Sequence, residues 1–319
     1  MSFDVDLAAD ISQFYADPLG HVLFSYPWGS GQLDGFDGPD DWARGFLTDL
    51  GDEVRKRGFD GKTAVDPIQF STASGHGIGK SALTAWLIRW IMDTRPFSKG
   101  IVTANTSEQL RTKTWAELAK WHHMGITKHW YHLNSGGGSM NMYHLDHRET
   151  WRVDAQTCRE ENSEAFAGLH AAQATPFYIF DEASAVPDKI FEVREGGLTD
   201  GEPMTFDFGN PTRNTGRFFE NMQGRFRHRY MRRHIDSRDV KITNKRLFEE
   251  WIKDYRIDSD FVKVRVLGQF PSAGELQLIA TADVRGCLAL EVSVQPHDPL
   301  VMRVDVARFG RAPTLLYLR

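Results

Sequence analysis

The chain has 319 residues and a mass of 36.3 kDa, which is enough for two domains and at least one full apolar core. Apolar residues make up 41% and charged residues 25%, which excludes collagen, coiled coil and wholesale disorder as dominant structures. The net charge of −5 excludes a wholly basic nucleic-acid binder, although a local basic groove stays possible.

Residues 1 to about 62 carry glycine and proline at short intervals and predict an irregular N-terminal arm with one helix at about 40–57. Strand-like and helix-like runs then alternate. The predicted strands are 68–73, 100–104, 151–157, 177–180 and 205–208, and the predicted helices are 80–92, 107–121 and 187–195. This alternation predicts an α/β fold with a mostly parallel sheet and helices on its faces. A helix at 243–256, with one apolar face, and a last strand at 300–307 follow.

No segment predicts a membrane span or a secretory signal. The most apolar stretch, residues 82–92, is well short of the roughly 20 residues that a bilayer requires. The N-terminus lacks a basic region followed by an apolar one. The two cysteines, Cys158 and Cys287, cannot form a disulfide framework, which fits a reducing cytoplasm.

A glycine-rich loop lies between the strand at 68–73 and the helix at 80–92. It consists of Ser74, Gly75, His76, Gly77, Ile78, Gly79, Lys80 and Ser81. Glycines let successive backbone N–H groups point at a phosphate, and the N-terminus of the helix favours the same anion. Lys80 would contact the β- and γ-phosphates of a nucleotide, and the Ser81 hydroxyl would ligate Mg²⁺. The strict pattern has glycine where Ser74 stands, so the loop is a variant of the phosphate-binding loop.

An acidic pair follows the apolar run 177–180, about 100 residues further along the chain. Asp181 at the strand tip could support the Mg²⁺, and Glu182 could orient and polarise the attacking water. The next strand leads to Asn210 and Thr212, which would lie near the γ-phosphate if that strand lies beside the other two. Taken alone, either pair could also be an ordinary exit from a strand.

The segment 211–246 carries a local charge of +8, with aromatic residues between the basic ones. A solvated charged face and a phosphate-backbone contact explain this pattern equally well. The candidates for contact with DNA or with a neighbouring subunit are Arg213, Arg217, Arg225, Arg227, Arg229, Arg232 and Arg233.

In their order and spacing, these motifs resemble those of the large terminase subunits of tailed bacteriophages, ATP-driven motors that package DNA into the capsid. The resemblance covers nearly the whole chain. It further includes Asp17-Pro18, Trp42, Thr103-Ala104-Asn105-Thr106, Gly209-Asn210-Pro211-Thr212, Gly216-Arg217-Phe218-Phe219 and Arg265-Val266-Leu267-Gly268-Gln269-Phe270-Pro271. It implies a three-layer α/β/α P-loop ATPase of the helicase-like branch, with ATP and Mg²⁺ as cofactors and Asn210 and Thr212 coupling hydrolysis to movement.

The implied domains are an N-terminal arm (1–62), an ATPase core (63–235), a lid region (236–297) and the start of an RNase H-like nuclease (298–319). The implied partners are double-stranded DNA, the small terminase subunit, the portal protein and further copies of the chain in a ring. The implied location is the cytoplasm of a bacterial host, with transient docking on the procapsid.

The sequence departs from the family pattern at two places. Ala43 follows Trp42 where relatives usually carry glutamine in an adenine-binding element, which puts adenine selectivity in doubt. Asp305 resembles the first metal ligand of the nuclease. The position where the family has its next acidic residue is Ala312 here, and only nine residues follow Gly310. Two-metal cleavage needs several converging carboxylates, so we expect no nuclease activity from this chain.

Further residues leave alternatives open. An arginine that completes the ATP site could be Arg111, Arg148, Arg159 or Arg213. Six histidines, His122, His123, His129, His132, His144 and His147, could form a metal site but favour a solvated insertion. Two rival functions also stand: a helicase-like ATPase outside packaging, and an inactive prophage remnant that binds only nucleotide or partners.

Overall fold

The computed structural model describes residues 2–136, 139–169, 174–272, 286–287, 302–305 and 315–318. The chain divides into two compact units, Met1–Leu276 and Gln277–Arg319. Within the described residues, none of the helices combines the length and the apolar character that crossing a bilayer requires. The four-part division predicted from the sequence stays a prediction.

The first unit contains an eight-stranded sheet with the order β3-β4-β5-β2-β6-β7-β1-β8. The strands from β5 to β8 in this order are parallel, and the β3–β4 hairpin extends the sheet in antiparallel fashion. The strands are β1 (Ile68–Ser74), β2 (Lys99–Thr103), β3 (Tyr131–Asn134), β4 (Met140–His144), β5 (Arg152–Ala155), β6 (Pro176–Phe180), β7 (Met204–Gly209) and β8 (Met231–Ile235). The mostly parallel sheet predicted from the sequence is confirmed.

Helices lie before, between and after these strands. They are α1 (Ser2–Ser12), α2 (Pro18–Ser25), α3 (Asp41–Arg57), α4 (Lys80–Thr94), α5 (Ser107–Gln109), α6 (Ala116–Met124), α7 (Asp188–Arg194), α8 (Arg217–Met222), α9 (Lys245–Tyr255) and α10 (Asp260–Val262). Two π-helical turns, Leu110–Trp115 and Lys263–Leu267, follow α5 and α10 directly.

The sheet is covered on both faces. Along β6, Phe177 and Ile179 pack in one apolar cluster, whereas Tyr178 and Phe180 pack in another. Successive side chains of a strand point to opposite faces, so the two clusters mark two helical layers around one sheet. The larger cluster includes α2, α3 and α4, and the smaller one includes α7 and α8. The three-layer α/β/α arrangement is thereby confirmed.

The prediction that the N-terminal region is irregular outside 40–57 was wrong. α1 and α2 are helical, and Val22 of α2 is fully buried in the same cluster as Phe46 of α3. α2 also has a clear start signal, because the Asp17 carboxylate accepts the Gly20 N–H at 2.9 Å and Pro18 occupies the first helical position. The helices form because their apolar residues cover α3 and α4.

The sequence favoured a solvated insertion for the histidine-rich segment. In the structure this segment is not solvated throughout. His122 is buried, and its Nδ1 lies 3.2 Å from Nη1 of Arg89. Burial lowers the pKa of His122 to about 3. His144 stacks on Trp151 with a centroid separation of 4.3 Å. Among the described residues, no group of three or more His, Cys, Asp or Glu side chains could hold a metal ion.

The second unit contains, within its described part, the antiparallel pair β9 (Met302–Asp305) and β10 (Leu315–Leu318), with Leu315 opposite Asp305. β9 therefore lies within the last strand predicted from the sequence, 300–307. Neither the side chain of Asp305 nor residue Ala312 is among the described parts of the structure.

Candidate nucleotide site

The topology brings the ends of three strands together at one edge of the sheet. β7 lies between β1 and β6 and is parallel to both. The strands end at Ser74, Phe180 and Gly209. In open parallel sheets, ligands bind in the crevice outside the carboxyl ends of the strands. This edge is therefore the candidate site.

The loop 74–81 joins β1 to α4 through two left-handed glycines. Gly77 and Gly79 have φ angles of +76° and +86°, a conformation that costs other residues about 1–2 kcal/mol. Gly79 is the N-cap of the 15-residue helix α4, and no side chain caps the helix there. The first-turn N–H groups of α4 are therefore not capped by a side chain, as an anion site at a helix N-terminus requires.

Lys80 lies inside this loop. Its Nζ donates a hydrogen bond to Oγ of Ser74 at 3.0 Å, and the Ser74 hydroxyl donates to the Gly75 carbonyl at 3.0 Å. Burial lowers the pKa of the Lys80 ammonium below its usual range, and the carboxylates of Glu182 and Asp181 offset part of this effect. A half-buried cation next to two carboxylates is suited to an anionic ligand that would add further compensating charge.

Asp181 directly follows β6 and is nearly fully buried. Its Oδ2 accepts a hydrogen bond from Oγ1 of Thr114 at 2.5 Å, and its Oδ1 accepts the Glu182 N–H at 3.0 Å. These two bonds fix the carboxylate and leave further lone pairs on both oxygens. Carboxylate and hydroxyl oxygens are the ligands that Mg²⁺ prefers, so Asp181 and the half-buried Ser81 fit such an ion.

Glu182 adopts a left-handed backbone conformation with φ of +53°, which is uncommon for a residue with a side chain. Strain of this kind is frequent at functional sites. Burial raises the pKa of Glu182 above its usual range, and the charge of Lys80 offsets part of the rise. A carboxylate with a raised pKa is a better acceptor for a proton from water.

Asn210 and Thr212 link the strand ends to one another. Nδ2 of Asn210 donates to the backbone oxygen of Ser74 at 2.6 Å, and Oγ1 of Thr212 donates to Oγ of Ser184 at 3.1 Å. One residue of the pair contacts the loop after β1, and the other contacts the segment after β6. The exit from β7 therefore bridges the two sides of the site.

A second segment holds the loop from outside. We call it the covering turn: the π-helical turn Lys263–Leu267 with Gly268. The Arg265 carbonyl accepts the His76 N–H at 2.7 Å, and Oγ of Ser237 donates to the His76 carbonyl at 2.8 Å. Gly268 lies against Ser74, since a Cβ at this glycine would be 2.7 Å from the Ser74 Cα. The loop therefore has part of the predicted lid region as a direct neighbour.

An apolar cavity of about 250 Å³ opens beside the loop. Trp42, Ala43, Ile78 and Ile242 contribute to its lining. The Trp42 Nε1 donates a hydrogen bond to the Ile78 carbonyl at 3.0 Å, so this side of the cavity is bonded directly to the phosphate loop. Ala43, which stands where the resemblance implies glutamine, offers only a methyl group. The cavity can accept a flat ring, but Ala43 supplies no side-chain hydrogen bond to it.

The chain is similar in sequence to the "Probable terminase, large subunit" of Enterobacteria phage P7, with 25% identity over 250 residues. The match covers 74% of this chain and 49% of that protein, so the chain spans about half the length of the curated relative. No family model matches the chain.

Solved structures of large terminases share its fold. The HK97 bacteriophage large terminase aligns with a TM-score of 0.55 at 12% identity, over 80% of this chain and 55% of that one. The large terminase of thermophilic bacteriophage D6E in complex with ADP aligns with a TM-score of 0.50 at 13% identity, over 80% and 59% of the two chains. The chain resembles phage large terminase subunits in both sequence and fold. The resemblance predicted from the motifs is thereby confirmed.

Two of the arginines considered for completing a terminase ATP site pair locally on the surface. Arg111 pairs with Glu108 at 2.9 Å, and Arg148 lies 3.7 Å from Glu149. Arg159 and Arg213 are exposed. The side chains that the structure adds to the site are Thr114 and Ser237. Their contacts are between residues distant in sequence, so no local motif indicated them.

The basic segment 213–246 divides into structural and exposed arginines. Arg217 is buried and donates to Glu195 at 2.6 Å, and Arg229 pairs with the same carboxylate. Arg233 pairs with Asp49. These three stabilise the fold, which leaves little of their charge for an external partner. Arg213, Arg225, Arg227 and Arg232 are exposed and remain candidates for contact with DNA or a neighbouring subunit.

Proposed function

We propose that this chain is an ATPase of a DNA-packaging motor and hydrolyses ATP to move double-stranded DNA into a procapsid. The observation that carries the proposal is the arrangement of Lys80, Asp181 and Glu182 at the carboxyl edge of the parallel strands β1 and β6, on either side of β7. A cationic phosphate loop faces a buried carboxylate and a strained acidic residue there. This set matches what phosphoryl transfer to water requires.

Each residue of the set has a separate task in this proposal. Backbone N–H groups of the loop and the Lys80 ammonium bind the phosphates, and Ser81 and Asp181 hold Mg²⁺. The ion, when bound, neutralises phosphate charge and orients the β- and γ-phosphates. Glu182 accepts a hydrogen bond from the attacking water and takes its proton as the new P–O bond forms. The bond from the γ-phosphorus to the bridging oxygen breaks, and ADP leaves.

Lys80 must exchange partners when ATP binds. Its Nζ contacts Ser74 Oγ in the structure, and a phosphate oxygen would take the place of that hydroxyl. The Ser74 hydroxyl is a neutral acceptor, whereas a phosphate oxygen is negatively charged and attracts the ammonium more strongly, so the exchange favours the bound state. The apolar cavity beside Ile78 would receive the base. Because Ala43 gives no side-chain hydrogen bond, any selection of adenine over guanine would depend on other polar residues of the cavity lining, such as Gln32.

Movement would be coupled through contacts that change with the nucleotide. Asn210 donates a hydrogen bond to the loop backbone at Ser74, and Thr212 donates one to Ser184 after β6. Both residues would therefore respond to a change in the segments around the phosphates. The covering turn contacts the same loop through the Arg265 carbonyl. A shift of the loop on hydrolysis would therefore be passed to the covering turn and, through the exposed arginines, to DNA or a neighbouring copy in a ring.

The proposed partners are double-stranded DNA, a small terminase subunit and a portal protein, and the proposed location is the host cytoplasm. That the chain does not cleave DNA stays a prediction. Plasmid nicking with Mn²⁺ or Mg²⁺ tests it, and cleavage that disappears in Asp305→Ala would contradict it.

ATP hydrolysis with and without double-stranded DNA tests the central proposal, beside Glu182→Gln. We expect Mg²⁺-dependent turnover that DNA stimulates and that this variant loses. Salt dependence adds a second readout, because replacing Arg225 and Arg232 by alanine should weaken DNA binding similarly for all sequences and flatten its salt dependence. Stimulation by single-stranded DNA together with strand separation would instead favour a helicase-like enzyme.

A further inference from the structure

The π-helical turn Leu110–Trp115 lies against the acidic side of the site. Thr114, within this turn, is buried and donates from Oγ1 to Oδ2 of Asp181 at 2.5 Å. π-helical turns are rare and are found frequently at functional sites, because the extra residue re-aims side chains. The contact fixes the turn next to the carboxylate that we assign to Mg²⁺.

Lys113 directly precedes Thr114 in this turn, and its side chain is exposed. Other basic residues nearby pair within their own helical turn: Arg111 with Glu108 at 2.9 Å, and Lys120 with Glu117 at 3.3 Å. Across the described residues, Lys113 has no carboxylate within ion-pairing distance. Lys113 is therefore a cation without a close counter-ion beside the site.

The positive charge of Lys113 affects the pKa values of three residues of the site. Burial is the main cause that lowers the pKa of Lys80 and of His76, and the charge of Lys113 lowers both a little further; at Glu182 it counteracts the rise in pKa that burial causes. These residues belong to the phosphate loop and to the segment after β6, and the contact of Thr114 with Asp181 holds the residue next to Lys113 against that segment. Two lysines that repel each other are stabilised when an anion lies between them.

We propose that Lys113 is a catalytic residue that contacts the terminal phosphoryl group of ATP from the side opposite the phosphate loop. This inference rests on the proposed ATPase function. The phosphoryl oxygens bear the charge of the transition state, and a fixed cation near them stabilises that charge. Lys113 would supply, within one chain, the kind of charge for which only arginines were candidates on the sequence. Thr114 is the positioning residue that holds the turn against Asp181.

The test compares Lys113→Ala, Lys113→Arg and the control Lys56→Ala, each in the full chain. Lys56 is a lysine on α3 whose side chain is also exposed, at 75%, and it is not part of the site. We expect Lys113→Ala to lower kcat about 100-fold, with KM changed much less. Lys113→Arg should recover most of the rate, because the charge is kept. Lys56→Ala should match the wild type, and all variants should melt at the wild-type temperature.

Binding gives a readout that does not depend on turnover. In the Glu182→Gln background, Lys113→Ala should weaken ATP binding at least about 10-fold and leave ADP binding unchanged, because only ATP carries the contacted group. Equal losses for ATP and ADP, or a kcat within about threefold of the wild type, would overturn the assignment. A wild type that binds ATP without hydrolysing it would count against the proposed function, whereas the ATP-to-ADP comparison would still decide on Lys113.

Discussion

The Lys80 Nζ lies 3.0 Å from Oγ of Ser74 and donates a hydrogen bond to it. Ser74 occupies the position where the strict phosphate-loop pattern has glycine, and its hydroxyl also donates to the Gly75 carbonyl. The serine thus gives the half-buried ammonium a partner in the absence of nucleotide. A partly desolvated charge without a partner is unfavourable, so the serine at this position has a structural reason.

Replacing Ser74 by alanine should therefore affect the nucleotide-free protein more than the bound one. Without the hydroxyl, Lys80 loses its partner, and we expect a loss of about 1–3 kcal/mol in the free energy of unfolding. Saturating Mg·ATP should shrink the difference, because phosphate oxygens then contact Lys80. Chemical denaturation with and without nucleotide measures both values. An equal loss under the two conditions would show that Lys80 keeps Ser74 as its partner throughout.

Gly268→Ala tests the contact between the covering turn and the phosphate loop. The glycine has φ of +64°, and a Cβ there would lie 2.6 Å from the Ile235 carbonyl oxygen, which is backbone and cannot easily move. We expect the free energy of unfolding to fall by about 1–2 kcal/mol from left-handed backbone strain and by about 1–3 kcal/mol from the steric clash. We also expect the variant to bind ATP more weakly.

Gly58→Ala is the matched control for this variant. Gly58 has nearly the same φ, +67°, but a Cβ there would have no neighbour within 4 Å. It should lose only the strain energy and keep its ATP affinity. If the two variants were equally stable and bound ATP equally well, the covering turn would not be holding the loop.

Glu182→Gln should lose ATPase activity and should be more stable than the wild type at high pH. Because the pKa of Glu182 is raised on folding, its contribution to stability is present below the usual glutamate pKa and is lost as the pH rises through the folded value. Glutamine cannot ionise, so the variant should melt above the wild type at pH 8, and the gap should close as the pH falls towards 5. The rate of ATP hydrolysis should drop about 10²–10⁴-fold. A variant that melts below the wild type at pH 8 would contradict the raised pKa.

Arg194 of α7 and Asp207 of β7 form a fully buried ion pair behind the site. Arg194 also donates to the Tyr230 hydroxyl at 2.9 Å, and Asn221 donates to Asp207 at 3.1 Å. Arg194→Met should cost about 3–5 kcal/mol, because it leaves a buried carboxylate without its cation. The double variant Arg194→Met/Asp207→Asn should lose less than the sum of the single variants.

Arg246→Met gives the surface control for the buried pair. Arg246 pairs with Glu250 at 3.3 Å, but its side chain is 87% exposed. Exposed pairs contribute about 0–1 kcal/mol, so urea denaturation should show little change. A buried-pair variant as stable as this control would mean that Arg194 and Asp207 do not hold α7 against β7.

The sequence predicted those parts of the structure that depend on local pattern. The strands around 68–73 and 177–180 and the loop between 74 and 81 follow from apolar runs and glycine spacing, and the structure has them within one or two residues. The hairpin of β3 and β4 was not predicted, because its short strands lie in a segment rich in histidine and glycine. α2 was missed although Asp17 and Pro18 mark its start, because the glycines that follow suggested a loop.

Contacts between distant residues could not be predicted in the same way. Thr114 reaches Asp181 across 67 residues, and Ser237 reaches His76 across 161. Such pairs depend on the packing of elements around the sheet, which one sequence does not specify. The roles of Arg217 and Arg229 were unclear for the same reason, since their partner Glu195 is remote in sequence.

ATP hydrolysis by the purified chain in Mg²⁺, with and without double-stranded DNA and beside Glu182→Gln, tests the assigned site most directly. We expect turnover that requires Mg²⁺, rises with DNA and falls about 10²–10⁴-fold in the variant. Turnover that survives in Glu182→Gln, or its absence from the wild type under conditions in which ATP binds, would contradict the assignment of this edge of the sheet as a working ATPase site.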